Sequence, residues 1–224
     1  MTPQAGLFLS AIAFVATHFL LSHPLRRPLV RAMGERAFQG LYSLVALIIF
    51  GLMIYFYGVI GREPPLWDAG EAGWIVATIL MWVGSILFVG SFVANPALPG
   101  ARLERGRAPV GVFAITRHPM MWGFALWAIA HIALWWSFRT LIVGTAILFL
   151  ALVGAHLQDR KKADRMGEGW AAWAQQTRYW PRWGRLPGAG AVLWLLTIAL
   201  WLALTWAHIH AAGVPAGVWR WLSF

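Results

Sequence analysis

The sequence has no cysteine. That absence excludes disulfides, cysteine-ligated zinc, iron–sulfur clusters, a thiolate haem ligand and covalent c-type haem attachment, which needs a Cys-x-x-Cys-His run. Charge is the second scarcity. Only 12% of the 224 residues are Asp, Glu, Lys or Arg, against roughly 25% in a soluble domain. Acidic residues are the rarest, 8 against 18 basic ones, for a net charge of +10. A chain that is 60% hydrophobic with so little charge is neither a soluble globule nor a disordered segment.

Long apolar runs are what the chain has in excess. Six stretches lack Lys, Arg, Asp and Glu and approach the about 20 residues that a bilayer crossing needs: Ala5–Ser22, Phe38–Ile60, Trp74–Val93, Pro119–Trp136, Thr140–Leu157 and Gly190–Ile209. The first has neither a basic leader nor a small-residue cleavage site, so it reads as a retained helix. The expected fold is all-α: a polytopic bundle of six transmembrane helices forming a single integral-membrane domain over residues 1–224.

The connecting loops alternate in charge. Arg26, Arg27, Arg31 and Arg36 follow the first run, and Arg102, Arg105, Arg107 and Arg117 follow the third. Arg160, Lys161, Lys162, Arg165, Arg178, Arg182 and Arg185 follow the fifth. Arg62, Arg139 and Arg220 fall on the other side, a division of 15 to 3. The positive-inside rule puts the rich side in the cytoplasm and both termini on the periplasmic face of a bacterial inner membrane. The net charge then reflects topology and contact with the lipid bilayer, and no nucleic-acid partner is needed.

Residues 158–189 form the one long connector. Met166, Trp170 and Trp173 recur at helical spacing opposite Arg160, Lys161, Asp164 and Arg165, which predicts a cytoplasmic amphipathic helix lying on the membrane or capping the bundle. Trp170, Trp173, Trp180 and Trp183 are expected to anchor it at the lipid surface.

Polar residues inside such a bundle are costly and are the natural candidates for function. His131 lies roughly 18 Å along the fourth span from Pro119, with Trp127 and Trp135 at i−4 and i+4 on its face. A neutral imidazole between flat rings suits a porphyrin; a buried histidine bonded to a neighbouring helix is the alternative. His18, His23, His118 and His156 gather near the cytoplasmic ends of three spans, as a cofactor site or as interfacial hydrogen-bonding groups. His208 and His210 read as boundary residues. Arg117-His118-Pro119 opens the fourth span with proline at the first helical position. Its two cations either anchor the helix at the boundary or face an anion there, such as a carboxylate, a phosphate or a haem propionate.

The stretch Ile115-Thr116-Arg117-His118-Pro119-Met120-Met121-Trp122-Gly123, followed by Trp127-Ala128-Ile129-Ala130-His131, resembles the NnrU family, as does His18-Phe19-Leu20-Leu21-Ser22-His23-Pro24-Leu25-Arg26. The resemblance runs over almost the whole chain. It implies a bacterial inner-membrane protein linked by name to nitrite and nitric oxide metabolism. It also implies kinship with 15-cis-zeta-carotene isomerases, haem b enzymes that isomerise a polyene in a redox-dependent way. On that likeness haem b is the expected cofactor, with His23 and His131 as axial candidates and His18 and His156 as second choices. Arg117 and His118 would then lie near the propionates, with Trp127 and Trp135 lining the pocket. One iron reaches both His23 and His131 only if the fourth span begins below the interface or the first is broken. Ala128 stands where those isomerases carry a cysteine considered as a ligand, so no thiolate-to-imidazole switch is open to this chain.

A second likeness is to isoprenylcysteine and phospholipid methyltransferases. It rests on Arg117-His118-Pro119 and on Gln158-Asp159-Arg160 through Arg178 and Pro181. It implies an S-adenosylmethionine pocket held by Arg117, His118, Asp159 and Arg160. The functional readings are therefore a haem-dependent isomerase or redox protein acting on a hydrophobic small molecule or nitric oxide, a membrane methyltransferase, and a non-enzymatic assembly factor.

Overall fold

The computed structural model describes residues 1–93, 95–96 and 108–222. Arg102, Arg105 and Arg107 of the basic set lie outside the described residues. The helices are α1 (Pro3–Ser22), α2 (Arg26–Ile60), α3 (Gly70–Gly90), α4 (Pro119–Leu134), α5 (Phe138–Met166), α6 (Glu168–Gln176) and α7 (Ala191–Ala212). No strand occurs among the described residues. Five of these helices, α1, α2, α3, α5 and α7, are long and apolar enough to cross a membrane. The sixth predicted span, α4, has 16 residues and reaches roughly 24 Å, short of a hydrocarbon core about 30 Å thick. The chain is a multi-pass membrane helix bundle. Its outer faces are apolar, with Leu47 68% and Leu195 70% exposed, as a surface solvated by lipid requires.

Local chemistry starts the helices where they begin. The Thr2 hydroxyl accepts from the Ala5 N–H while Pro3 takes the first turn of α1, and the Ser137 hydroxyl caps α5 through the Thr140 N–H. The crossings alternate in direction. Arg62 donates to the Gly213 carbonyl (3.3 Å), the Trp135 indole N–H to the Glu63 carbonyl (2.9 Å), and Arg220 pairs with Glu71 (3.0 Å). These contacts gather one end of the bundle, the terminal end. Arg26, Arg117, Lys161 and Lys162 stand at the other, the basic end.

Two regions depart from the sequence expectation. The loop after the first span is itself helical: α2 begins at Arg26 and kinks at Gly34, whose φ of 84° is the left-handed region that only glycine enters without penalty. The predicted amphipathic helix is two helices. α5 runs on past Leu157 to Met166, so Gln158, Asp159 and Lys161 ride on the same rod as the span. Gly167, with φ 53°, then turns the chain into α6. That turn folds Trp170 and Trp173 back onto the bundle, where they are 2% and 4% exposed beside Phe113 and Trp122. They cap the core and do not anchor at the lipid surface. Trp180 and Trp183 are exposed.

α4 packs between α3 and α5. A Cβ at Gly123 would lie 3.0 Å from the Gly84 carbonyl oxygen and from Phe88 Cβ, so the α3–α4 crossing depends on the missing side chain. Gly123→Val is expected to destabilise the bundle by about 1–3 kcal/mol, read as a lower melting temperature in detergent. An unchanged melting temperature would show that α3 and α4 separate without cost.

Candidate functional site: an imidazole-lined cavity

Residues of α1, α2, α4, α5 and α7 line a half-open cavity of about 1140 Å³. Its walls are mainly apolar, with Phe14, Phe50, Met53, Phe124 and Leu150 prominent. Toward the terminal end it meets His131 and His208; toward the basic end it meets Ser22, His23, Gln158 and Lys161. His18 lines the wall between them.

His131 sits in the last turn of α4, nearer a helix end than a span to Trp136 predicts. The helix stops at Leu134, and Trp135 leaves helical geometry at φ −131°. The His131 Nδ1 lies 2.8 Å from the Trp127 carbonyl oxygen, and the ring stacks on Trp127 with centroids 4.2 Å apart. A carbonyl only accepts, so Nδ1 carries the proton, and in the neutral ring Nε2 then keeps its lone pair. His18 repeats the arrangement, with Nδ1 2.7 Å from the Phe14 carbonyl oxygen. His208 approaches His131 edge-on, with centroids 6.0 Å apart. The His23 backbone N–H caps α1 by donating to the Phe19 carbonyl. Burial first, and then the Lys161 charge, hold the His23 imidazole below its ordinary value, which favours the neutral ring.

The other predicted residues divide clearly. Trp127 lines the cavity. Trp135 does not; its indole is bound to Glu63, and the Arg62 guanidinium lies 5.1 Å over its ring. His156 is exposed on α5 and is not part of the lining. His208, which the sequence pattern assigns to a boundary, is brought to the cavity by the packing of α7. The usable signal was its place near the same end of the bundle as His131.

Arg117, His118 and Asp159 form a separate cluster at the basic end. Arg117 Nε lies 2.9 Å from both Asp159 carboxylate oxygens, and its Nη2 also donates to Oδ2. His118 Nε2 is 2.9 Å from Asp159 Oδ1, while its buried Nδ1 has no hydrogen-bond partner among the described residues. The segment before α7 joins in. The Thr116 hydroxyl is 2.7 Å from the Tyr179 carbonyl oxygen, the Trp122 indole N–H donates to the same oxygen (2.9 Å), and the Tyr179 hydroxyl donates to the Leu152 carbonyl (2.6 Å). Burial, then the Asp159 charge, raise the Tyr179 phenol above its ordinary value, with Arg117 opposing them. The cluster clamps the start of α4 to α5 and to residues 177–182. None of Arg117, His118 and Asp159 lines the cavity, and Arg160 is exposed.

Among the described residues, no group of three or more His, Asp or Glu is placed to hold a bare metal ion. A porphyrin supplies four of its own ligands, so one or two imidazoles suffice for haem iron.

Residues 6–216 match the family described as NnrU protein. The chain belongs to the NnrU protein family. This NnrU chain is 27% identical over 190 residues to the chloroplastic 15-cis-zeta-carotene isomerase of Arabidopsis thaliana, covering 80% of this chain and 50% of that protein. It is 25% identical over 188 residues to the chloroplastic 15-cis-zeta-carotene isomerase of Zea mays, again covering 80% and 50%. The chain spans about half the length of these curated relatives. No solved structure matches.

Proposed function

We propose that this NnrU chain binds haem b in the imidazole-lined cavity and promotes cis–trans isomerisation of a hydrophobic polyene that enters from the bilayer. The observation that carries the reading is the His131 ring: its Nδ1–H is held by the Trp127 carbonyl, its face is stacked on an indole, it lines a mainly apolar cavity, and its Nε2 makes no hydrogen bond among the described residues. Metal-binding histidines are held in just this way, the second ring nitrogen donating to a carbonyl. His131 would therefore be the first residue to hold the haem, and His18, His23 and His208 are the other imidazoles that line the cavity.

Bound haem supplies one-electron chemistry at iron, tuned by its axial ligands and the polarity around it. The protein's part is to position and to exclude. The bond to Trp127 sets the ring of His131, and Phe14, Phe50 and Phe124 give the cavity an apolar wall. A volume of about 1140 Å³ exceeds the roughly 300–1,000 Å³ of a single small-molecule pocket. That leaves space for part of an extended apolar chain beside a flat cofactor. The isomerase side of the proposal is supported by the two plant relatives, both 15-cis-zeta-carotene isomerases. In the same proposal the basic end faces the cytoplasm, following the 15-to-3 division of Lys and Arg.

The test is an absorbance titration of the detergent-purified protein with haem b. A saturable Soret band at one haem per chain is the expected result. No band at saturating haem would overturn the haem reading.

A further inference from the structure

Four histidines line the cavity, and they stand at different heights in the bundle. Gly144 of α5 packs against Ile132 and the Ala128 carbonyl, so His131 lies near the Gly144 level. Gly154, further along α5, faces Phe19 of α1. His18 therefore stands roughly 15 Å nearer the basic end than His131, and His23, another turn along the chain, roughly 21 Å, at 1.5 Å of rise per residue. A metal–imidazole bond is about 2 Å long, so two imidazoles on opposite faces of one iron bring their nitrogens to about 4 Å and their ring centroids to about 6 Å. Those heights exclude His18 and His23 as partners of His131 on one iron.

His208 meets the requirement. Its ring centroid is 6.0 Å from that of His131, with the two rings inclined at 64°. Rings that share one axis through a metal can take any angle about that axis, so the inclination is compatible with joint ligation. The helix end that carries His208 is also tied down. Gly213 closes α7 at φ 62° with its N–H donating to the His208 carbonyl, and Arg62 donates to the Gly213 carbonyl (3.3 Å). We infer that His208 is the partner of His131 on the haem iron, and that His18 and His23 are not iron ligands. This rests on the haem reading above and adds the second ligand. It leaves the part of the cavity toward Ser22, His23 and Gln158 for the apolar chain of the substrate.

The experiment loads the full-length protein in detergent with haem b and reads the ferric state by absorbance and electron paramagnetic resonance. Two axial imidazoles give six-coordinate low-spin iron, and a single one gives high-spin iron. The unaltered protein, His18→Ala and His23→Ala are expected to be low-spin. His208→Ala is expected to keep a Soret band, to turn high-spin, and to return to low-spin when imidazole is added. His208→Met keeps a ligand at that position and is expected to stay low-spin with a raised reduction potential, a shift that a merely structural role for His208 does not produce. Should His208→Ala fail to fold, His208→Met carries the test, and an unaltered potential in it would overturn the assignment. A high-spin unaltered protein would do the same, as would loss of the low-spin state in His18→Ala or His23→Ala beside an unchanged His208→Ala; both leave haem binding standing. No Soret band in the unaltered protein at saturating haem would remove the haem reading and this inference together.

Discussion

Replacing His131 with alanine is expected to weaken haem retention by more than about a hundred-fold and to shift or erase the Soret band. Loss of a residue that merely orients a metal ligand costs roughly 10- to 100-fold in affinity, and loss of the ligand itself exceeds that. The expectation rests on the hydrogen bond from the His131 Nδ1–H to the Trp127 carbonyl, which fixes the ring and leaves Nε2 as the available nitrogen. Added imidazole fills the vacated space and is expected to restore part of the band. His156→Ala serves as the control, since His156 is exposed and outside the cavity lining. A band of unaltered position and strength in His131→Ala would remove His131 as a ligand and pass that role to His18, His23 or His208.

Asp159→Ala is expected to destabilise the folded protein by about 3–5 kcal/mol, the cost of breaking a largely buried ion pair by removing one partner. The Arg117 and Asp159 side chains are 16% and 17% exposed, and the His118 side chain is fully buried. Without the carboxylate, a guanidinium and an imidazole are left with no acidic partner at the junction of α4, α5 and residues 177–182. Thermal melting in detergent is the measurement. Asp159→Asn keeps a hydrogen-bond acceptor without the charge and should fall between the two. Arg117→Ala combined with Asp159→Ala should cost less than the sum of the single changes, because the pair shares one interaction. Additive losses would mean that the two residues act separately and that the clamp is not a unit. The cluster lies off the cavity, so haem affinity of the folded fraction should change little. A loss of haem affinity as large as that of His131→Ala would contradict the separation of the two sites.

The histidines show where reading the chain in one dimension succeeds and stops. His131 stands out in the sequence because a polar side chain within an apolar run needs a partner, and it is held by the carbonyl four residues back, as is His18, which the sequence places near a span end. Trp127 was legible for the same reason, since i−4 geometry is local. Trp135 obeys the same spacing yet misses the cavity, because α4 ends at Leu134 and the next residue no longer follows helical geometry. Arg117 and His118 were marked as anion-facing. Their anion turns out to be the chain's own Asp159, more than forty residues away, a pairing that periodicity cannot predict.

The sequence by itself determined that this is a membrane bundle, because apolar runs of crossing length and alternating loop charge are properties of composition and order alone. It also determined that any haem ligand here is not a thiolate, because no cysteine exists to provide one. The tertiary structure decided which imidazoles share one cavity, that α4 is too short to cross unaided, and that Arg117 and His118 are tied to Asp159 and stand off that cavity. Those outcomes depend on where helices distant in sequence touch, on a glycine turn that folds α6 inward, and on which charges neutralise each other first. Each is a balance of packing and pairing across the bundle, carried by contacts between residues far apart in the chain.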